Sequence, residues 1–268
     1  MKHLPIKISI AVTAVLIVIF SIIFIVGAEK IIKTYNINIG AKQILTNIVD
    51  PQYIITEIPD ESIDEYEFAG IKYKMFCQFS KGYKGYNDYL ASHGCTVTTL
   101  TAVLRAYSSE CQEWTPYETI TIAEKQMAGE DAFKNNYSKS PEKQMPFNFY
   151  AASQILTQYG VDHEYEPFFS SDEELRTDII NHLKRGKPVM FIISQKNRAT
   201  DTTSKKWTGS FHTMLMIGTD GKDKILLGNP AGSQRFQMVY LDEMINYMFS
   251  CKEEPDGFYW NGKSKCGG

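Results

Sequence analysis

His93-Gly94-Cys95-Thr96-Val97-Thr98-Thr99-Leu100-Thr101-Ala102-Val103-Leu104 is the stretch on which the reading of this chain turns. From Cys95, apolar residues recur at Val97, Leu100, Leu104 and Tyr107. Alternating steps of three and four residues lie on one face of a helix. The glycine before Cys95 punctuates the chain, so the thiol stands at the helix start. There the aligned peptide dipoles present their positive end, which favours thiolate, the nucleophilic form of cysteine. A single cysteine in that place is more often structural than reactive. The reading therefore depends on what the rest of the chain supplies.

Two later segments supply partners. His212 opens a strand in Phe211-His212-Thr213, and Asn229 closes the next strand in Gly228-Asn229-Pro230. An imidazole beside a thiol ionises it as an ion pair, and the second ring nitrogen needs an orienting amide or carboxylate. Gln78, 17 positions before Cys95, is the candidate side-chain donor to a tetrahedral oxyanion. The backbone N–H of Cys95 is the second donor. Each residue has a plain alternative. His212 reads as an ordinary polar residue, Asn229 before Pro230 as a turn residue, and Gln78 alone carries almost no information. The types, their order and their places on helix, strand and strand end carry weight only together. His93 is a rival base, set aside because residues so close in sequence at a helix start rarely face each other. His163 and His182 are weaker, and His182 falls on a solvated helix.

Outward from this segment, residues 71–78 read as a strand (Ile71, Tyr73, Met75). A tyrosine- and glycine-rich loop leads from it to Gly94. Thr115-Pro116 opens a helix running to about residue 127, with threonine as N-cap and proline at the first helical position. Residues 129–145 read as loop, and 147–159 as a helix ended by Gly160. Ser171-Asp172-Glu173-Glu174 is a capping box, and its helix turns Leu175, Ile179 and Leu183 inward before Gly186. A buried strand over 188–194 and a polar loop over 195–210 follow. Strands over 211–218, 224–227 and 235–240 then lead to a helix over 241–249. Helices precede an antiparallel sheet, which is an α+β layout with the nucleophile on a helix and its base on the sheet.

These residues together resemble the exported double-glycine-type cysteine peptidases, a papain-like family that includes the bacteriocin-leader-processing domains. The stand-alone members, not fused to a transporter, are the nearer likeness. It spans roughly residues 73–247. It rests on Gln78, on Gly94-Cys95 with Val97-Thr98-Thr99-Leu100 and Ala102-Val103-Leu104, on His212 with Met214-Leu215-Met216-Ile217-Gly218 and Asp220, and on Gly228-Asn229-Pro230. The resemblance implies a papain-like α+β fold and peptide or protein substrates. It also implies nucleophile Cys95, base His212, orienting residue Asn229 and oxyanion donor Gln78. The chain departs from the family pattern in three places. Many members carry Cys-Gly-Pro where Thr96 and Val97 follow Cys95 here. Aspartate is common where Asn229 stands, and an amide orients an imidazole without stabilising its charge. The 195–210 loop has no counterpart. Two rival readings stay open. One is a papain-like binding module without turnover. The other is a cell-wall amidase or acyltransferase on the same scaffold, which predicts glycan or stem-peptide contacts in the aromatic loop around Tyr83 and Tyr86. The plain alternative for those rings is packing under the loop.

Bulk properties agree with an exported domain. A chain of 268 residues, 43% hydrophobic and 22% charged, supports one sizeable globular core. A net charge of −3 lacks the basic surplus that nucleic acid as a partner implies. Residues 8–26 carry no charge, behind Lys2 and Lys7. As a helix they span roughly 28 Å, near the ~30 Å of a bilayer core, and a signal peptide's apolar region is usually shorter. A retained membrane helix is therefore expected, with cleavage after Ala28 and secretion as the alternative; in both cases the domain that follows is extracellular. Setting Cys95 aside leaves Cys77, Cys111, Cys251 and Cys266. These could pair as Cys77 with Cys111 and Cys251 with Cys266, or stay reduced and buried. No cysteine or histidine cluster has zinc-ligand spacing, so no metal or other cofactor is expected. The expected organisation is a membrane segment over 1–28, a stalk over 29–66 with a short helix at 36–49, a peptidase domain over 67–250 and a tail over 251–268.

Overall fold

The computed structural model describes residues 51–56, 64–127, 149–165, 171–197, 200, 202–203 and 206–248. The expected membrane helix, the 36–49 helix and the tail with Cys251 and Cys266 lie outside the described residues. Among the described residues no helix is long and apolar enough to cross a membrane.

A 3-10 turn, Pro51–Tyr53, comes first, followed by strands β1 (Glu65–Phe68) and β2 (Ile71–Lys74). The helices follow: α1 (Asn87–His93), α2 (Cys95–Tyr107), α3 (Pro116–Met127), α4 (Phe149–Gln158) and α5 (Asp172–Leu183). Then come β3 (Val189–Ser194), β4 (Phe211–Thr219), β5 (Lys224–Gly228), β6 (Phe236–Tyr240) and helix α6 (Leu241–Tyr247). Strands β3 to β6 form an antiparallel sheet in chain order, and β1 and β2 form a separate antiparallel pair. The α+β layout read from the sequence is the layout found.

Helices cover both faces of the larger sheet, which explains why β4 is buried from His212 to Thr219. Leu215, Ile217, Leu226 and Phe236 share a cluster with Val97, Leu100 and Leu104 of α2 and with Ile120 and Ile155. Met214, Met216, Ile225, Leu227 and Val239 pack with Leu175, Ile179 and Leu183 of α5 and with Leu241, Met244 and Ile245 of α6. This odd-and-even division along β4 is the period-two alternation of a strand. Each fully buried aliphatic side chain contributes on the order of 1.5–3 kcal/mol, so this two-sided packing fixes β4 firmly against α2.

Gly94 joins α1 to α2 without an intervening loop. Its N–H donates to Leu90 O (2.9 Å) and its carbonyl accepts from Thr98 N (2.8 Å), so it closes one helix and opens the next. A Cβ at this position would stand 2.4 Å from Leu90 O and 2.6 Å from Leu90 Cα. Both are backbone atoms, so only glycine fits the junction.

The structure departs from the sequence reading at several points, among them the strand read over 71–78, which ends at Lys74 and leaves Gln78 beyond it, and β1, which has no counterpart in that reading. Helix α1 occupies part of the expected loop; it is short and lacks a side-chain cap, so it has no boundary signal. The described part of the expected stalk packs on the domain. Ile55 N–H donates to Thr219 O (2.9 Å), and Tyr53 lies against Gly186. The Cys77–Cys111 pairing is corrected, because both are free thiols. Cys111 is buried in the helical core, whereas Cys77 is half-exposed just before Gln78. The aromatic loop takes its plain alternative. Tyr83 and Tyr86 are buried, with Tyr83 Oη donating to Cys77 O (3.1 Å) and Tyr86 Oη to Glu124 Oε2 (2.6 Å).

Candidate active site

Cys95 is the first residue of α2 and half-buried. The first N–H groups of a helix have no partner within it and carry the positive end of its dipole. The α2 start has neither a side-chain cap nor an acidic residue in its first turn. No carboxylate of this turn competes with a thiolate for those dipoles.

His212 lies near the start of β4 and is buried, as is Asn229, the residue after β5. His212 Nε2 stands 2.8 Å from Asn229 Oδ1. The Ala231 backbone N–H donates to the same oxygen at 3.0 Å. A backbone N–H can only donate, so this atom of Asn229 must be the carbonyl oxygen and not the amide nitrogen. His212 Nε2 must then carry the hydrogen. That leaves Nδ1 to face the Cys95 thiol, with which the imidazole is hydrogen-bonded. The 229–235 loop is tight around the amide: Asn229 N–H donates to Arg235 O (2.9 Å), and a Cβ on Gly232 would stand 2.9 Å from Asn229 Nδ2.

The electrostatics of the pair run in opposite directions. Burial pushes the Cys95 thiol up, but it is outweighed. The hydrogen bond to His212, the imidazolium charge and hydrogen bonds from the N–H and hydroxyl of Thr213 hold the thiol below its ordinary value. Burial works against the charged form of His212, and again is outweighed. The hydrogen bond and charge of Cys95, with the bond to Asn229, hold the imidazole above its ordinary value. Both displacements favour a thiolate–imidazolium pair, which titrates as a unit.

Gln78 is buried and stitches two sides of the site together. Its backbone N–H donates to Pro230 O (3.0 Å), next to Asn229, and its Nε2 donates to Ala91 O (3.3 Å) in α1. Its Oε1 is buried without a hydrogen-bond partner. Phe79 beside Gln78 and Phe211 beside His212 are both exposed aromatic side chains.

The other described histidines have partners of their own. His93 stacks on Tyr89 with ring centroids 5.8 Å apart, and burial pushes its pKa down. His163 bonds Ser153 Oγ (2.7 Å) and Val161 O (2.9 Å), and His182 stands 3.7 Å from Glu164. Asp220 caps its turn by accepting from Lys222 N (2.9 Å) and Lys224 N (3.0 Å). Among the described residues no group of three or more His, Cys, Asp or Glu side chains is placed to hold a metal ion.

The sequence reading left out the threonines. Thr96, Thr98, Thr99 and Thr101 of α2 are all buried, and Thr96 and Thr99 both reach Thr213 on β4. The signal was present: β-branched hydroxyl residues are poor choices for a buried helix face unless the hydroxyls have partners.

A family model described as "Peptidase_C39 like family" matches residues 71–249, a span that holds Cys95, His212, Asn229 and Gln78. No curated protein and no solved structure matches the chain.

Proposed function

We propose that this chain, which belongs to the Peptidase_C39 like family, is an exported, membrane-anchored cysteine peptidase of papain-like fold. It hydrolyses peptide bonds of peptide or protein substrates through a thioester at Cys95. The observation that carries the reading is the hydrogen-bonded chain from Asn229 through His212 to Cys95, with one tautomer of the imidazole dictated by Ala231.

The steps follow from that chain. The thiol proton passes to His212 Nδ1, and Cys95 Sγ attacks the peptide carbonyl carbon. The carbonyl oxygen becomes an oxyanion facing the second hydrogen of Gln78 Nε2 and the N–H of Cys95 at the α2 start. The C–N bond breaks as His212 returns the proton to the leaving amine. A water deprotonated by His212 then attacks the thioester, which releases the acid and restores the thiol. Water is consumed, and one amide gives one acid and one amine. Asn229 holds the ring through both stages, and its neutral amide leaves stabilisation of the imidazolium to the thiolate. The exposed rings of Phe79 and Phe211 are apolar contacts for the peptide on either side. Tyr83 and Tyr86, around which the amidase reading predicts glycan or stem-peptide contacts, are buried, which favours the peptidase reading.

The test is a thiol-directed activity probe on the purified full chain, beside Cys95→Ala and His212→Ala. Wild type is labelled near neutral pH and both variants lose the label. An unlabelled wild type defeats the enzyme reading, and labelling that survives His212→Ala removes His212 as the activating base. Export is tested by protease treatment of intact cells, where a protected domain refutes it.

A further inference from the structure

We propose that Thr213 is a thiolate-stabilising residue, donating from both its N–H and its hydroxyl to Cys95 Sγ, and that Thr96 is a positioning residue acting through it. This rests on the reading of Cys95 as the nucleophile.

The opening for these contacts lies in the sheet register. β5 ends at Gly228, which pairs with Leu215 of β4. Residues 211–214 of β4 therefore run on without a β5 partner along that edge. The N–H and C=O of one strand residue point to the same edge. At Thr213 this edge faces α2 and not a strand. Thr99 Oγ1 donates to the Thr213 carbonyl (3.3 Å), so this edge, and the Thr213 N–H with it, is turned toward α2, and the electrostatics of the Cys95 thiol include that N–H as a donor. The first turns of α2 thus lie along an edge that additional β5 residues would have filled.

The hydroxyls add a direction. Thr96 Oγ1 and Thr213 Oγ1 are 2.7 Å apart and buried. Thr96 follows Cys95 in the chain, so this contact sets the Thr213 hydroxyl beside the first residue of α2, and the electrostatics of the thiol include that hydroxyl as a donor. A hydroxyl has one hydrogen to give. When Thr213 donates to the thiolate, Thr213 Oγ1 must accept from Thr96, so the order is Thr96 to Thr213 to sulfur. The hydrogen that left the sulfur is then on His212 Nδ1. Burial keeps water from competing for these bonds and strengthens each of them. A pair of valines would fill the same volume without two hydroxyls to desolvate. The same two threonines also hold the residue after Cys95 against the residue after His212, which registers α2 on β4.

The pH dependence of Cys95 alkylation by iodoacetamide on the full chain tests this. One hydrogen bond to a charged group corresponds to about one pH unit or somewhat more. Thr213→Val moves the acid limb of the alkylation profile upward by about that amount, roughly tenfold in rate at a fixed pH on the limb. Thr213→Ser, which keeps the hydroxyl, leaves the limb in place. Thr96→Val moves it the same way by less, and Thr96→Ser restores it. Thr99→Val touches only a carbonyl and does not move the limb. A Thr213→Val limb at the wild-type position overturns the proposal, as does an equal shift in Thr99→Val, which would mean register alone matters. If Thr213→Val does not fold, Thr96→Val decides, and no shift there overturns the proposal. A wild type that reacts, and is slowed by His212→Ala while Thr213→Val is unmoved, defeats this proposal and spares the peptidase reading. A wild type that does not react defeats both.

Discussion

Helices α2 and α5 begin in opposite ways. α5 is closed by its own side chains: Ser171 Oγ accepts from Glu174 N (3.2 Å), and Asp172, Glu173 and Glu174 fill its first turn. α2 begins at Gly94 with no side-chain cap and no carboxylate. A capped end is worth about 1 kcal/mol of helix stability. An open end forgoes that but leaves N–H groups and the positive dipole for something else. At α2 that something is the Cys95 sulfur and, in the reaction we propose, the oxyanion. Tertiary packing under Val97, Leu100 and Leu104 replaces the stabilisation that a cap would have supplied. One helix start is closed by its own side chains, and the other is left open for the chemistry we propose.

That contrast can be pressed from its largest effect to its smallest. Gln78→Ala removes the side-chain donor that, in the proposed reaction, holds the oxyanion with the open α2 end. Turnover of a peptide substrate should fall by roughly 10²–10³-fold with KM changed less than kcat. A fall confined to KM would place Gln78 in ground-state binding instead. Gly94→Ala forces a Cβ against the Leu90 backbone. It should cost about 1–3 kcal/mol in denaturant unfolding and slow Cys95 alkylation as well, because the first turn of α2 must move. An unchanged alkylation rate would separate the junction from the site. Ser171→Ala should cost about 1 kcal/mol in the same unfolding experiment with turnover untouched. A loss of turnover there would erase the distinction between the two helix starts.

What could be read from the sequence follows the same division. α5 was legible in full because its cap, its inward residues and its closing glycine are local. The apolar stripe of α2 was legible for the same reason, and Asn229 and His212 were placed by strand ends that the alternation marks. The rest depends on distant partners. Helix α1 has no cap and merges into α2 through Gly94, so no boundary residue announces it. Ile54 and Ile55 read as linker until Thr219 is brought beside them. The Thr213 contacts depend on β5 stopping at Gly228 while β4 runs on, a mismatch of strand lengths with no local trace. The cysteines illustrate the limit from the other side. Counting made Cys77 and Cys111 a candidate pair, but only the placement of Cys111 inside the helical core separates them.

The account stands most directly on the Cys95–His212 pair. The sign of each shift sets its pH window. With the thiol held below its ordinary value, thiolate persists as pH falls below the normal thiol range and is lost only when Cys95 itself takes a proton. With the imidazole held above its ordinary value, the ion pair lasts through neutrality and is lost as pH rises through the His212 titration. The measurement is the rate of Cys95 alkylation from about pH 5 to about pH 9 in wild type and in His212→Ala, bracketing the ordinary histidine and thiol values. The account predicts a wild type reactive near neutrality and a variant reactive only as pH approaches the ordinary thiol range. Superimposable profiles in the two proteins, both rising only in that range, would contradict it.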